Sequence, residues 1–251
     1  MIIIKTDEEI VKMRRAGNKL ARLLDDLIPS ILKEGINGED VEKYVLTYMD
    51  KENAIPTFKG YNGYRYAINF SLNEEVVHGF PLKSKVLKNG DIVSIDCGLT
   101  YSGYIADAAR TYIIGEVSQR EKELVDSTKE SLYLGLKKAV VGNTIGDIGY
   151  EIQSFIESKG FSVIREYVGH GVGRRLHEDP QIPNYGEPGR GPKIRKNMTL
   201  AIEPMVTMGS YEVDILDDGW TAVTVDKSKA AHFEHTIAVT DNGPEILTVL
   251  K

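Results

Sequence analysis

The sequence predicts an α+β fold in which two related halves share one mixed β-sheet. Three observations carry that expectation: two successive runs of helix, helix and strands, a residue-by-residue correspondence between the runs at one offset, and apolar strand-like segments that end in carboxylates. At 251 residues the chain is at the upper end of what one domain holds, so a single domain over 1–251 is expected, with halves of approximately 1–115 and 116–251. Thr6 and Glu9 have the spacing of a capping box. They open a long amphipathic helix with Ile10, Met13, Leu20, Leu23, Leu24, Leu27 and Ile31 at helical spacing, ended by Gly35. A second helix runs through Val41, Tyr44, Val45, Tyr48 and Met49 until Pro56 and the glycines at 60 and 63 break the pattern. After a run of strands, Ser118 and Glu121 repeat the capping box. That helix ends at Gly142, and another carries Ile148, Ile152, Phe155 and Ile156 up to Gly160.

An offset of 107 aligns the two runs. Gly35 meets Gly142, Asn37 meets Thr144, Asp40 meets Asp147, Val41 meets Ile148, and the strand-like residues 93–96 fall on 200–203. Asp96 therefore corresponds to Glu203, which predicts acids converging near a pseudo-two-fold axis. The Pro/Gly-rich stretch 185–192 reads as a surface loop within the second run.

Composition narrows the function. With 41% hydrophobic and 27% charged residues the chain can bury a sizeable core. No apolar run approaches the roughly 20 residues of a membrane span, and acids at Asp7, Glu8 and Glu9 stand where a secretory signal would be apolar, so a cytoplasmic protein is expected. The lone cysteine, Cys97, excludes an internal disulfide and cysteine-based metal cages, and reads as a core residue. A net charge of −6 disfavours membrane surfaces and specific nucleic-acid binding. Phosphate-loop, dinucleotide, HExxH and GxSxG motifs are absent from the sequence. The basic stretches 83–88 and 193–196 read as solvated faces.

The chemistry lies in acids placed where apolar residues belong. Alternation puts Ile92, Ser94 and Asp96 on one strand face, and Asp107 shares a face with Ala109 and Thr111 on the next strand. A hairpin turn near residues 101–103 would set the two carboxylates side by side. Like charges at cross-strand distance repel unless a cation or proton intervenes. Thr199 and Ala201 leave room beside Glu203, and Ala231 does so near Glu234. His170 follows the strand-like residues 161–168, inside a glycine-rich GHGVG segment that lets the backbone approach closely. Taken singly, each acid reads as a solvated turn residue, and His78 and His177 as ordinary loop histidines. Taken together, four carboxylates and an imidazole suit Mn, Fe, Co or Zn, and two divalent ions would balance the four negative charges. Such a pair lowers the pKa of a shared water and polarises a carbonyl, the logic of two-metal hydrolysis. His232 and His235 flank Glu234 and, on an unbroken strand, would point away from it.

These residues carry a resemblance to the type I methionine aminopeptidases. The matching segments are NEEVVHG (73–79), DIVSIDCG (91–98), GYIAD (103–107), GHGVG (169–173), LH (176–177), AIEPM (201–205) and FEH (233–235), in order over essentially the whole chain. The resemblance implies the pita-bread fold: a single catalytic domain whose two halves share a curved mixed sheet with helices outside. It implies removal of the initiator methionine from nascent chains, with a small second residue preferred. Asp96, Asp107, His170, Glu203 and Glu234 become the metal ligands, with Asp107 and Glu234 bridging. His78 and His177 become the histidines that meet the substrate, and Glu203 the proton shuttle. The methionine pocket maps onto Phe58, Tyr61, Tyr64, Asn69, His78, Leu176 and Trp220. Two of these depart from the bacterial pattern: Leu176, where an aromatic is common, and Asn69, where a cysteine often stands. Two divalent ions are implied as cofactors, and the resemblance allows an additional monovalent cation. Nascent N-terminal peptides are the expected partners, the ribosome a candidate one, and the chain is expected to be a monomer. The cysteine-rich extension of eukaryotic type I members and the helical insertion of type II are not expected here. Two rivals differ in readout: a proline-specific peptidase of the same fold would cleave X-Pro bonds, and a non-catalytic relative would take up no metal.

Overall fold

A computed structural model of the protein describes residues 1–250; Lys251, the final residue of the expected second half, lies outside the described residues. Helix α1 (Asp7–Ala21) passes through a π-helical turn (Arg22–Leu27) into α2 (Ile28–Ile31), and α3 (Gly38–Lys51) follows. The capping box at the start of α1 is present: Thr6 accepts from the Glu9 amide, and Glu9 accepts from the Thr6 amide at 2.8 Å. The long first helix expected from its spacing is interrupted by the π-turn, and Pro29 supplies a reason. Lacking an N–H, proline cannot bond the carbonyl of Asp25 four residues back, and the turn widens there.

The strands β1 (Ile55–Pro56), β2 (Ile68–Leu72), β3 (Glu75–Val77), β4 (Ile92–Tyr101) and β5 (Tyr104–Ile113) come next. Helices α4 (Gln119–Lys138) and α5 (Ile145–Ser158) open the second run. It continues through β6 (Ser162–Val163), β7 (Gly169–Gly171), β8 (Glu178–Ile182), β9 (Thr199–Ile202), β10 (Met205–Thr207), β11 (Val213–Ile215) and β12 (Ala222–Thr224), and ends with β13 (Ala230–His232), β14 (His235–Thr240) and β15 (Gly243–Ile246). His170 lies in β7 of its own, and the strand expected over 161–168 is reduced to β6, which joins a different sheet.

The offset of 107 recurs in the backbone. The N-caps Asn37 and Thr144, the positive-φ glycines Gly35 and Gly142, and the first residues of β4 and β9 are each 107 apart. The bridge Asn37 to Val86 is matched by Thr144 to Lys193. Each run has its own core. Leu20, Leu24, Val41 and Val45 pack with Ile68, Phe70, Ile95 and Cys97 in one, and Leu124, Leu132, Ile148 and Ile152 pack with Leu200, Ile202 and Ile237 in the other.

Among the described residues the strands form four sheets, antiparallel throughout where one mixed sheet was expected, and β1-β4-β2 with β5 and β15-β14-β9-β7-β8 carry the acids. The two meet at a seam where threonine hydroxyls stand in for backbone partners. Thr236 accepts from the Asp107 amide at 2.9 Å and donates to the Asp107 carbonyl at 2.8 Å; Thr111 does the same for His232. The Glu234 amide donates to the Ala109 carbonyl at 3.0 Å. The seam thereby draws Asp107 and Glu234 together from the two runs.

Candidate metal centre

The β4-β5 hairpin closes on Ser102 and Gly103, both at positive φ, as a two-residue turn of primed type requires. This turn pairs Tyr101 with Tyr104. Asp96 therefore stands opposite Ala109, and Asp107 opposite Gly98. The carboxylates expected side by side are instead diagonal neighbours on one face, the geometry that leaves about 7–8 Å between Cα positions. Opposite Asp96 on its other flank is Asn69, whose Nδ2 donates to Asp96 Oδ2 at 2.7 Å.

His170 reaches the same space from β7, where the ladder to β8 shifts register between His170 and Gly171. A Cβ on Gly169 would stand in the Ala201 carbonyl oxygen, and one on Gly171 in the Asp179 carbonyl oxygen, so this backbone is pressed between β9 and β8 in a way that only glycine permits. His170 Nδ1 lies 3.0 Å from the Gly171 carbonyl, which can only accept, so Nδ1 carries the proton and Nε2 offers its lone pair. That Nε2 is 3.5 Å from Glu203 Oε1 and 3.7 Å from Asp107 Oδ2. Glu203 follows β9 directly, and Glu234 occupies the break between β13 and β14. Donor atoms of Asp107, His170 and Glu234 lie within 4.8 Å of one another, and all three residues are buried.

Electrostatics make this cluster costly without a cation. Burial raises the pKa of Asp96 to about 6, against the pull of nearby His232 and with the push of Glu203. Asp107 is raised well above the carboxylate range by burial and by the charge of Asp96. Glu234 is raised by burial and by Asp107, and Glu203 by burial. His170 is pushed down to about 3 by burial and by His177. Buried Asp96 Oδ1, Asp107 Oδ1, Glu234 Oε1 and His232 Nε2 have no hydrogen-bond partner. Buried polar atoms are normally paired, so the three unpartnered carboxylate oxygens, on residues that line one cavity, fit a cation that would satisfy them.

The other residues expected at the site line the same cavity of about 730 Å³. Phe58, Tyr64 and Leu176 are buried in its walls; Tyr64 meets Trp220 edge-on at 5.0 Å between ring centres. His78, at φ 60°, is held edge-on against Tyr167 at 5.2 Å, and burial lowers its pKa to about 4. His177 stands at the exposed rim with Nδ1 2.8 Å from the Tyr61 hydroxyl and its ring edge-on to His170 at 4.4 Å; partial enclosure lowers its pKa.

His232, expected to point away from Glu234, instead lies on the same side, as its position two residues earlier requires. The strand breaks after it, its ring is buried, and its Nε2 lies 3.6 Å from Glu203 Oε2, inside the cluster. No feature of the sequence marks the break except the acid itself. His235 is buried on the far side, bonded to Thr248 and Tyr133. Cys97 is buried in the core as expected.

Residues 11–241 match the family model described as metallopeptidase family M24. The methionine aminopeptidase of Clostridium acetobutylicum is 51% identical over 249 residues, covering 99% of each chain. That of Escherichia coli is 42% identical over 251 residues, covering all of this chain and 95% of that one. The crystal structure of methionine aminopeptidase from Thermotoga maritima has a TM-score of 0.97 at 56% identity, covering 99% of this chain and 100% of that one. The prolidase of Pyrococcus horikoshii shares the fold, with a TM-score of 0.79 at 24% identity, and this chain spans 65% of its length.

Proposed function

The chain belongs to metallopeptidase family M24, and from that premise we propose that it hydrolyses the first peptide bond of polypeptides beginning with methionine, with divalent metal bound by the buried acids. The observation that carries the reading is the donor set: carboxylates from both runs and one imidazole, with buried oxygens lacking any partner, at the base of an aromatic-walled cavity. Asp96, Asp107, His170, Glu203 and Glu234 would hold two divalent ions. When bound, divalent ions acidify water and polarise a carbonyl.

The chain's own groups do the rest. Phe58, Tyr61, Tyr64, Leu176 and Trp220 receive the thioether side chain, for which aromatic walls add sulfur–ring contact to apolar burial. Leu176 and Asn69 set the width of that pocket. Glu203 takes the proton from the attacking water and passes it to the leaving amine. With the Tyr61 hydroxyl donating to Nδ1, His177 keeps its Nε2–H to donate to the oxygen on which charge develops. His78, neutral and fixed by Tyr167, orients the scissile amide. Small second residues suit the constricted base of the cavity. The same reading makes newly made chains the substrates, the ribosome a docking partner, and the protein a cytoplasmic monomer. Among the described residues no helix is long and apolar enough to cross a membrane.

Assay of Met-Ala-Ser beside an X-Pro dipeptide, before and after chelation, tests the reading. The expected result is metal-dependent release of methionine and no X-Pro cleavage. X-Pro cleavage alone would transfer the chain to the proline-specific members, and turnover untouched by chelation would overturn the metal role.

A further inference from the structure

One buried ion pair lies outside the donor set yet touches the loop that carries His177. Lys5 Nζ donates to Glu178 Oε2 at 2.7 Å, and the two side chains are only 2% and 1% exposed. The other oxygen, Glu178 Oε1, accepts the amides of Arg174 at 3.0 Å and Arg175 at 3.2 Å, the turn immediately before Leu176 and His177. Glu178 also faces Gly171 across the register shift next to His170. Lys5 is itself fixed at both backbone groups: its amide donates to the Asn197 carbonyl at 2.9 Å, and its carbonyl accepts from Asn197 Nδ2 at 3.0 Å. Gly173 lets the lysine pass, since a Cβ there would meet Lys5 Cε. A buried ion pair adds little net stability over an apolar pair of similar volume, because desolvating two charges offsets their attraction. What this pair supplies is direction: one carboxylate locked by a cation on one oxygen and two loop amides on the other.

We infer that Lys5 and Glu178 are positioning residues, whose contact holds the 173–177 loop at the depth where Leu176 and His177 face the substrate. Neither touches the reacting atoms. The inference rests on the reading of His177 as a substrate-facing group, so the test separates the two. Glu178→Asp keeps the charge but draws the carboxylate back by one methylene from the loop amides. It is expected to lower kcat on Met-Ala-Ser by about 10- to 100-fold, the order of loss that a misplacement of 1 Å produces. Metal uptake, measured by calorimetric titration, should be unchanged. In a His177→Ala background the same substitution should cost less than about threefold, since residues acting through one group are non-additive. Lys5→Met/Glu178→Gln keeps volume while removing the contact, and should lower kcat by more than about threefold with metal uptake unchanged. The proposal is overturned if E178D turns over like the parent, if it loses as much in the His177→Ala background, if its loss follows metal content, or if the folded double variant stays within about threefold of the parent kcat. Should E178D fail to fold, the double variant alone decides. His177→Ala with parental activity would instead sink the reading of His177.

Discussion

Glu203 bears two demands at once, since it offers one oxygen 3.5 Å from His170 and the other 3.6 Å from His232 while sitting at the floor of the cavity. Glutamine in its place keeps the volume and one coordinating oxygen but has no basic oxygen for a proton. Glu203→Gln should therefore leave circular dichroism unchanged and reduce kcat on Met-Ala-Ser by about 10²- to 10⁴-fold, the usual share of a general base; near-parental turnover would remove Glu203 from that role. At this scale the sequence was informative where a residue type is rare in its setting. An acid on an apolar strand face, as with Asp96, or a histidine among glycines, as with His170, costs too much to be incidental. His232 was legible but misread: two residues before Glu234 it shares that residue's face under plain alternation, and only His235 points the other way. Asn69 was legible as a pocket residue by resemblance, but its bond to Asp96 depends on a register fixed only by the pairing of β2 with β4.

Between elements, the seam of β5 with β13 and β14 is the feature on which the cluster depends. Thr236 is fully buried and closes a reciprocal pair of bonds with Asp107. Thr236→Val retains the shape and strands a buried amide and a buried carbonyl, each costing about 1–3 kcal/mol. Thermal or urea unfolding should show a loss of that order, and metal affinity should fall with it as Asp107 loosens. Unchanged stability would mean that the seam is held by packing alone. Helices were the most readable elements: the caps at Thr6 and Ser118 stand where local pattern put them, and Asn37 and Thr144, aligned by the offset, are caps as well. The hairpin register was misjudged by one position on each strand, because the sequence shows a turn but not which two residues take positive φ. Lys5 and Glu178, 173 positions apart, had no local signal at all.

For the whole molecule, the acid cluster links folding to metal and to pH. All five histidines are pushed below their ordinary value, chiefly by burial, so their contribution is complete above about pH 6.5 and is lost as pH falls. The clustered carboxyls have the opposite sign. Their folded pKa values are raised, so the stability they contribute is present below about pH 4 and is lost as pH rises through the folded values. Above about pH 6.5 only the second effect remains. Chelator-stripped protein should melt at progressively lower temperature from about pH 6.5 to 9, whereas the stabilisation by added divalent metal should grow over that range, because the ligands must be deprotonated to bind. A flat melting profile without metal would deny the mutual repulsion. The two related runs with acids at corresponding strand ends were readable from the offset of 107, because duplication copies caps, turns and strand ends together, whereas the pita-bread arrangement itself came from the resemblance.

The central claim is that five side chains from both runs converge on divalent ions. Crystals of the protein loaded with manganese or cobalt, with diffraction recorded at that metal's absorption edge, test it most directly. The account predicts two anomalous peaks in the cavity, in contact with Asp96, Asp107, His170, Glu203 and Glu234. An empty cavity under saturating metal, or peaks only on surface carboxylates, would contradict it.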